Sequence, residues 1–301
     1  MIVFHLPGTE RLGRLPFELG ASTGEVEIHH FPDGESRLRL LGEVEGKDVV
    51  LVGELERPDR KILTLLFAVA TARELGARSI GVVAPYLPYM RQDRAFRSGE
   101  GVTARQFTRL LTRDIDWLAT VDPHLHRIRS LGDVCPVPTE TVHTAPLLAE
   151  WIRRHVERPL ILGPDGESHQ WVASVAELVG APHMVMTKRR VSDCRVELTL
   201  PPLARHAGRQ PVLVDDIVSS GATMAAAVRA LTDTGWPAPV CLVVHALFAP
   251  GALDLLRAAG AATVVSTNTV SHATNAVDVG GLLAEAVSRR VSQRAPAGIE
   301  G

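Results

Sequence analysis

Five short runs of branched apolar residues recur along the chain, each too continuously hydrophobic to leave one face in water. They are Val49-Val50-Leu51-Val52, Ser79-Ile80-Gly81-Val82-Val83, Leu160-Ile161-Leu162, Val212-Leu213-Val214 and Val240-Cys241-Leu242-Val243-Val244. A strand that packs on one side alternates polar and apolar residues, whereas a strand of this kind is covered on both sides, as in a parallel sheet. The segments between the runs space their apolar residues as the stripe of a helix lying on such a sheet. The predicted class is α/β, with mostly parallel sheets flanked by helices.

The runs also repeat. Val50-Leu51-Val52 and Val212-Leu213-Val214 are identical triplets 162 positions apart. At the same offset Ile62, Leu65, Leu66 and Val69 fall on Met224, Ala227, Val228 and Leu231, both sets following the i, i+3, i+4, i+7 rule. Ile80 and Val82 then fall on Leu242 and Val244 in the next strand. Two similar domains are expected, 1–141 and 142–293, with the boundary among the prolines and threonines of Pro136–Pro146. The tail 294–301 is expected to be disordered.

Bulk properties narrow the function classes. With Lys+Arg 32 against Asp+Glu 34, the net charge of -2 offers no global field for nucleic acid or an anionic membrane, so any anion must be held locally. Cys135, Cys194 and Cys241 are widely spaced and form no CxxC pair, which argues against a disulfide framework or a thiolate metal site. The start, MIVFHLPGTE, has neither a basic segment nor a long apolar run, and no window reaches the length of a membrane span. A cytoplasmic location is expected.

The chemistry concentrates where the two repeats differ. After its strand the first has GELERPDRK, Gly53 to Lys61, and the second has DDIVSSGAT, Asp215 to Thr223. In the second, a strand ending at Val214 would deliver Asp215 and Asp216 to the carboxyl edge of the sheet, where ligands of open α/β folds collect. Ser219, Ser220, Gly221, Ala222 and Thr223 would then turn into a helix. Small side chains let a phosphate approach the backbone, the helix start supplies N–H donors, and the hydroxyls add further bonds. The acids suit ribose hydroxyls, directly or through a divalent ion. Helix capping alone would explain Ser and Thr here, but not two acids directly after the strand. No GxxxxGK[ST] occurs, so the loop is not a Walker A motif.

This strand, acid pair, small-residue loop and helix resemble the phosphoribosyl-pyrophosphate (PRPP) motif of type I phosphoribosyltransferases and their relatives. Further segments, in order, resemble the ribose-phosphate pyrophosphokinase family: FPDGES (Phe31 to Ser36), PYLPYMRQDRAFRSGEGVTA (Pro85 to Ala104), TVDPHLHRI (Thr120 to Ile128), LGPDGESH (Leu162 to His169) and MTKRRVSD (Met186 to Asp193). The resemblance runs from Phe31 to about Ala286. It implies two domains of type I phosphoribosyltransferase-like fold, and transfer of the diphosphoryl group of ATP to the 1-hydroxyl of ribose 5-phosphate, giving PRPP and AMP, with Mg²⁺.

The resemblance also implies roles. Phe31, Asp33 and Glu35 would hold adenine in a neighbouring subunit, hence a homo-oligomer, a dimer or an assembly of dimers. Arg91, Gln92 and Arg94 would contact ATP from the amino end of a helix, and His124 would lie near its phosphates and the metal. Asp165 would be a metal ligand or bind ribose, while Lys188 and Arg190, at the start of a loop, would be catalytic. Asp215, Asp216 and Ser219 to Thr223 would bind ribose 5-phosphate. Ser219 stands where many members carry an acid, so no carboxylate base is expected there. Pro123, His126 and Gly166-Glu167-Ser168 depart from the family pattern. Two rivals share the loop: a phosphoribosyltransferase acting on a free base, and a catalytically silent regulatory homologue.

Overall fold

The computed structural model describes residues 1–192 and 195–293, with backbone alone for 188–192 and 195–197. The tail from Arg294 lies outside the described residues. The chain forms two compact units, Met1–Val142 joined by the segment from Gly280, and His143–Val279.

Unit 1 contains β1 (Ile2–His5), α1 (Leu15–Glu18), β2 (Ser22–His30), β3 (Ser36–Leu41), β4 (Asp48–Val52), α2 (Ile62–Glu74), β5 (Ser79–Ala84), α3 (Thr103–Leu111), β6 (Trp117–Val121) and β7 (Thr139–Val142). Its sheet has the order β3-β2-β1-β4-β5-β6-β7, parallel except for the β2–β3 hairpin. Val49 to Val52 and Ile80 to Ala84 are buried on both faces, as their unbroken apolar character requires, and Phe4, Leu65, Leu111 and Leu118 complete the core.

Unit 2 contains α4 (Ala145–His155), β8 (Pro159–Gly163), α5 (His169–Val179), β9 (His183–Val185), β10 (Thr187–Ser192), β11 (Arg195–Thr199), β12 (Gln210–Val218), α6 (Ala222–Asp233), β13 (Val240–Ala246), α7 (Ala252–Ala258), β14 (Thr263–Thr267) and β15 (Asn275–Val277). The parallel sheet has the order β15-β14-β13-β12-β8-β9, and β10 and β11 form a separate antiparallel pair. Reading outward, β1-β4-β5-β6-β7 and β8-β12-β13-β14-β15 follow the same plan, so the repeat at offset 162 is a repeat of topology.

The last helix, α8 (Gly280–Ser292), follows β15 in sequence but belongs to unit 1. It packs against α1, β6 and β7, burying Leu283, Ala286 and Val287. Arg290 closes this contact on Glu140 of β7 at 2.8 Å. The division therefore differs from the 142–293 domain expected from sequence. A buried leucine or valine contributes about 1.5–3 kcal/mol, and the partners for these lie in unit 1.

Candidate active site

In unit 2 the chain leaves β8 for β9 on one side and β12 for β13 on the other, although β8 and β12 are neighbours. Their carboxyl ends therefore open a crevice at a topological switch point. Leu213 pairs with Leu162, which brings the loop after Gly163 beside the second half of β12. The turn at Gly166–Ser168 touches β12.

The strand is longer than its apolar triplet suggests. β12 runs on to Val218, with Asp215 paired to Val243, so the expected end at Val214 is corrected. The two acids thus sit on pleated backbone, where successive side chains take opposite faces. Asp216 is buried and Asp215 half-buried, and an Asp215 carboxylate oxygen accepts the Asp216 N–H at 3.1 Å. Parallel pairing to β13 holds these polar residues extended where propensity alone would have ended the strand.

Beyond β12 the loop closes on itself and on its neighbour. The Ser219 carbonyl accepts the Ala249 N–H at 3.0 Å, and Ser220 Oγ accepts the Ala222 N–H at 3.4 Å. Gly221 caps α6 at φ +75°, a left-handed geometry that favours glycine, and a Cβ there would press on the Ala252 carbonyl. Met224, buried in the core, anchors the first turn. Ser219, Ser220 and Thr223 hydroxyls and the first N–H groups of α6 share this loop, a donor set suited to an oxyanion. Across the crevice Asp165 ends the loop after β8, its carboxylate accepting the Glu167 N–H at 3.0 Å.

Lys188 and Arg190 are on β10, paired to Leu198 and Val196, so the expected loop is a hairpin strand. Their side chains lie outside the described residues. The hairpin is fixed to the unit 2 core through Leu198 and Leu200.

Unit 1 carries the remaining candidates. Phe31 to Glu35 form the β2–β3 turn, closed by the Phe31 N–H donating to the Glu35 carbonyl at 2.8 Å. Asp33 accepts the Glu35 N–H at 3.1 Å, and the whole tip is exposed, Phe31 included. His29 meets the Phe31 ring edge-on at 4.6 Å.

Arg91, Gln92, Arg94 and Arg97 lie in the loop that joins β5 to α3, and the helix begins only at Thr103, so their expected place near a helix start is corrected. Gly99 and Gly101 are in the intervening turn, where the Glu100 carboxylate accepts the N–H groups of Phe96 and Arg97 at 2.8 and 3.1 Å. Arg91 and Arg94 are exposed, while Gln92 accepts the Thr103 hydroxyl at 3.3 Å. Tyr89, on the same loop at φ 65°, donates to Asp59; that bond pushes its phenol up to about 12.

β6 lies next to β5, and Asp122, the residue just past its end, is fully buried at φ 34°. Left-handed backbone at a residue other than glycine costs about 1–2 kcal/mol, and it occurs here two residues before His124. His124 is half-buried, with the His126 ring edge-on at 4.1 Å. Asp93 and Arg127, absent from the sequence candidates, join the loop after β5 to the loop after β6 through a 3.0 Å ion pair. An RQDR run with an acid between arginines hints at such a bond, but no period in the sequence gives its partner.

No helix among the described residues is long and apolar enough to cross a membrane. Residues 3–114 match the family model described as the N-terminal domain of ribose phosphate pyrophosphokinase, and residues 143–280 match the phosphoribosyl transferase domain. A ribose-phosphate pyrophosphokinase of Methanopyrus kandleri is 34% identical over 290 residues, spanning 95% of this chain and 98% of that protein. One from Halobacterium salinarum is 35% identical over 272 residues, 89% of this chain and 93% of that protein. A solved phosphoribosylpyrophosphate synthetase from Mycobacterium smegmatis shares the fold, with TM-score 0.86 at 23% identity over 98% of this chain and 99% of that one.

Proposed function

The chain belongs to the ribose-phosphate pyrophosphokinase family, and on that premise we propose that it transfers the diphosphoryl group of ATP to the 1-hydroxyl of ribose 5-phosphate, giving PRPP and AMP. The observation that carries this reading is the loop from Asp215 to Thr223, an oxyanion cradle with two acids at the switch point of unit 2. In it the 5-phosphate would be held by Ser219, Ser220, Thr223 and the N–H groups beside Gly221 and Ala222. Asp215 and Asp216 would hold the ribose hydroxyls.

ATP would be bound by Arg91, Gln92 and Arg94, with His124 donating to its phosphates. Arginine forks match phosphate oxygens, and their exposure in the loop leaves them accessible to a nucleotide. Phe31, Asp33 and Glu35, on an exposed hairpin tip, would serve the adenine of a neighbouring copy, so the enzyme would act as a homo-oligomer in the cytoplasm. In the reaction the 1-hydroxyl oxygen attacks the β-phosphorus, the bond to the AMP oxygen breaks, and the hydroxyl proton is released to water. Charge then grows on the departing oxygen, and Lys188 and Arg190 would neutralise it.

Mg²⁺ binds one or two carboxylates plus substrate phosphates. The hard oxygen donors of Asp165, with Asp215 across the crevice, fit that pattern; His124 is the second residue proposed for the ion, and its imidazole suits the phosphates better. When bound, the ion would lower the charge on the triphosphate. The test is AMP formation from ATP with Mg²⁺. Dependence on ribose 5-phosphate supports the reading; consumption of PRPP only with a free base would replace it by a transferase, and activity only on mixing with another subunit by a regulatory homologue.

A further inference from the structure

We infer that Arg127 is a positioning residue for nucleotide: it neutralises Asp93, so that the arginines of the loop after β5 remain available to phosphate. The inference rests on the ATP-binding reading of that loop.

The Arg127 guanidinium lies 3.0 and 3.2 Å from the two Asp93 carboxylate oxygens, and the same carboxylate accepts the Arg127 backbone N–H at 3.2 Å. The Asp93 side chain is 2% exposed, against 46% for Arg127. An anion so withdrawn from water needs a cation at close range. In sequence its nearest cations are Arg91 and Arg94, the residues proposed to meet ATP. Without Arg127, one of them would be drawn to Asp93 and the nucleotide would compete with a tethered carboxylate. With Arg127, that demand is met from the neighbouring strand's loop.

The pair also has a mechanical effect. The segment between Ala84 and Thr103 is long for a connection inside a compact unit, and ordering such a loop on binding would reduce affinity. Asp93 fastens its middle to the loop that carries His124. The exposed Phe96 ring adds a second link, with the Arg94 guanidinium 4.9 Å and that of Arg127 5.9 Å from its centroid. Arg127 thus touches the arginine loop twice and belongs to the histidine loop itself.

Steady-state kinetics of the full-length enzyme and amide exchange of the free protein test this together. For Arg127→Ala the KM for ATP is expected to rise roughly tenfold or more, with the KM for ribose 5-phosphate within about twofold of the parent. Amides of Arg91 to Arg97 should exchange faster without any ligand. Arg127→Lys keeps the charge and loses the fork, so it should recover part of the affinity. Because both residues act through one contact, Asp93→Asn with Arg127→Ala should be no worse than Arg127→Ala alone. An unchanged KM for ATP, a fall in kcat alone, or effects that multiply in the double variant would overturn the inference. If the parent forms no AMP from ATP and ribose 5-phosphate, the reading of the site fails instead; unchanged exchange at Arg91 to Arg97 would then also remove the brace.

Discussion

At matched positions of the repeat, unit 1 has Glu54 where unit 2 has Asp216, and the loops that follow the two acids differ in composition. Glu54 follows a central parallel strand at a switch point and Asp216 lies near the end of one, because β1 and β4 diverge as β8 and β12 do. In unit 2 the following loop is made of small residues and hydroxyls. In unit 1 Glu54 is buried and faced by its own cations, Arg11 at 2.6 Å and Lys61 at 3.0 Å. Lys61 also reaches Glu56, whose carboxyl is raised above the usual range by burial. Gly8 is required here, at φ +89°, because a Cβ would collide with the Glu54 carboxylate. What remains is a cavity of about 160 Å³ bordered by Leu6, His30, Glu54, Arg60, Lys61 and Thr64. One frame thus yields two outcomes. In unit 1 a protein anion meets protein cations, and in unit 2 the loop's hydroxyl and N–H donors are the ones proposed to meet an anion from solution.

The contrast can be broken by mutation, starting with the protein's own anion. Glu54→Ala removes the partner of a buried cation, and a loss of about 3–5 kcal/mol in urea unfolding is expected, partly restored by added phosphate or sulfate. An unchanged midpoint would mean that Glu54 does not hold unit 1 together. Next in size is Lys188→Ala, which should lower kcat by roughly 100-fold or more, about 2.7 kcal/mol, with a smaller effect on either KM. Unaltered turnover would remove Lys188 from the chemistry. In the crevice of unit 2, Asp215→Asn should raise the KM for ribose 5-phosphate by roughly tenfold and leave the unfolding midpoint in place, the reverse of Glu54→Ala. Gly221→Ala should be mildest, about 1–2 kcal/mol of stability from left-handed backbone, with weaker ribose 5-phosphate binding. If it binds as the parent does, the cradle tolerates a side chain and its small-residue character is incidental.

Sequence made some of this readable and hid the rest for physical reasons. Strands covered on both faces leave unbroken apolar runs, so β4, β5, β8, β12 and β13 were legible, and so was the repeat they build. The loop after β12 was legible because an anion cradle needs small residues in fixed order. Strand continuation through Asp215 and Asp216 was not, since pairing with β13 supplies what local propensity withholds. Nor was the Arg91–Arg97 loop, where the glycines at 99 and 101 were the available sign that no helix began there. The ion pairs Glu54–Arg11 and Asp93–Arg127 join residues far apart in the chain, and single residues carry no periodic signal.

The return of α8 to unit 1 sets an order of events during synthesis. Unit 2 is an insertion, threaded into unit 1 between β7 and its final helix. At about 5–20 residues per second, the ribosome needs on the order of ten seconds to make His143–Val279 after β7 is complete. Throughout that interval the surfaces of α1, β6 and β7 that Leu283, Ala286 and Val287 will cover stay bare. The inserted unit, whose elements are contiguous, is complete before its host, and a nascent chain stalled inside it would expose an apolar face to chaperones.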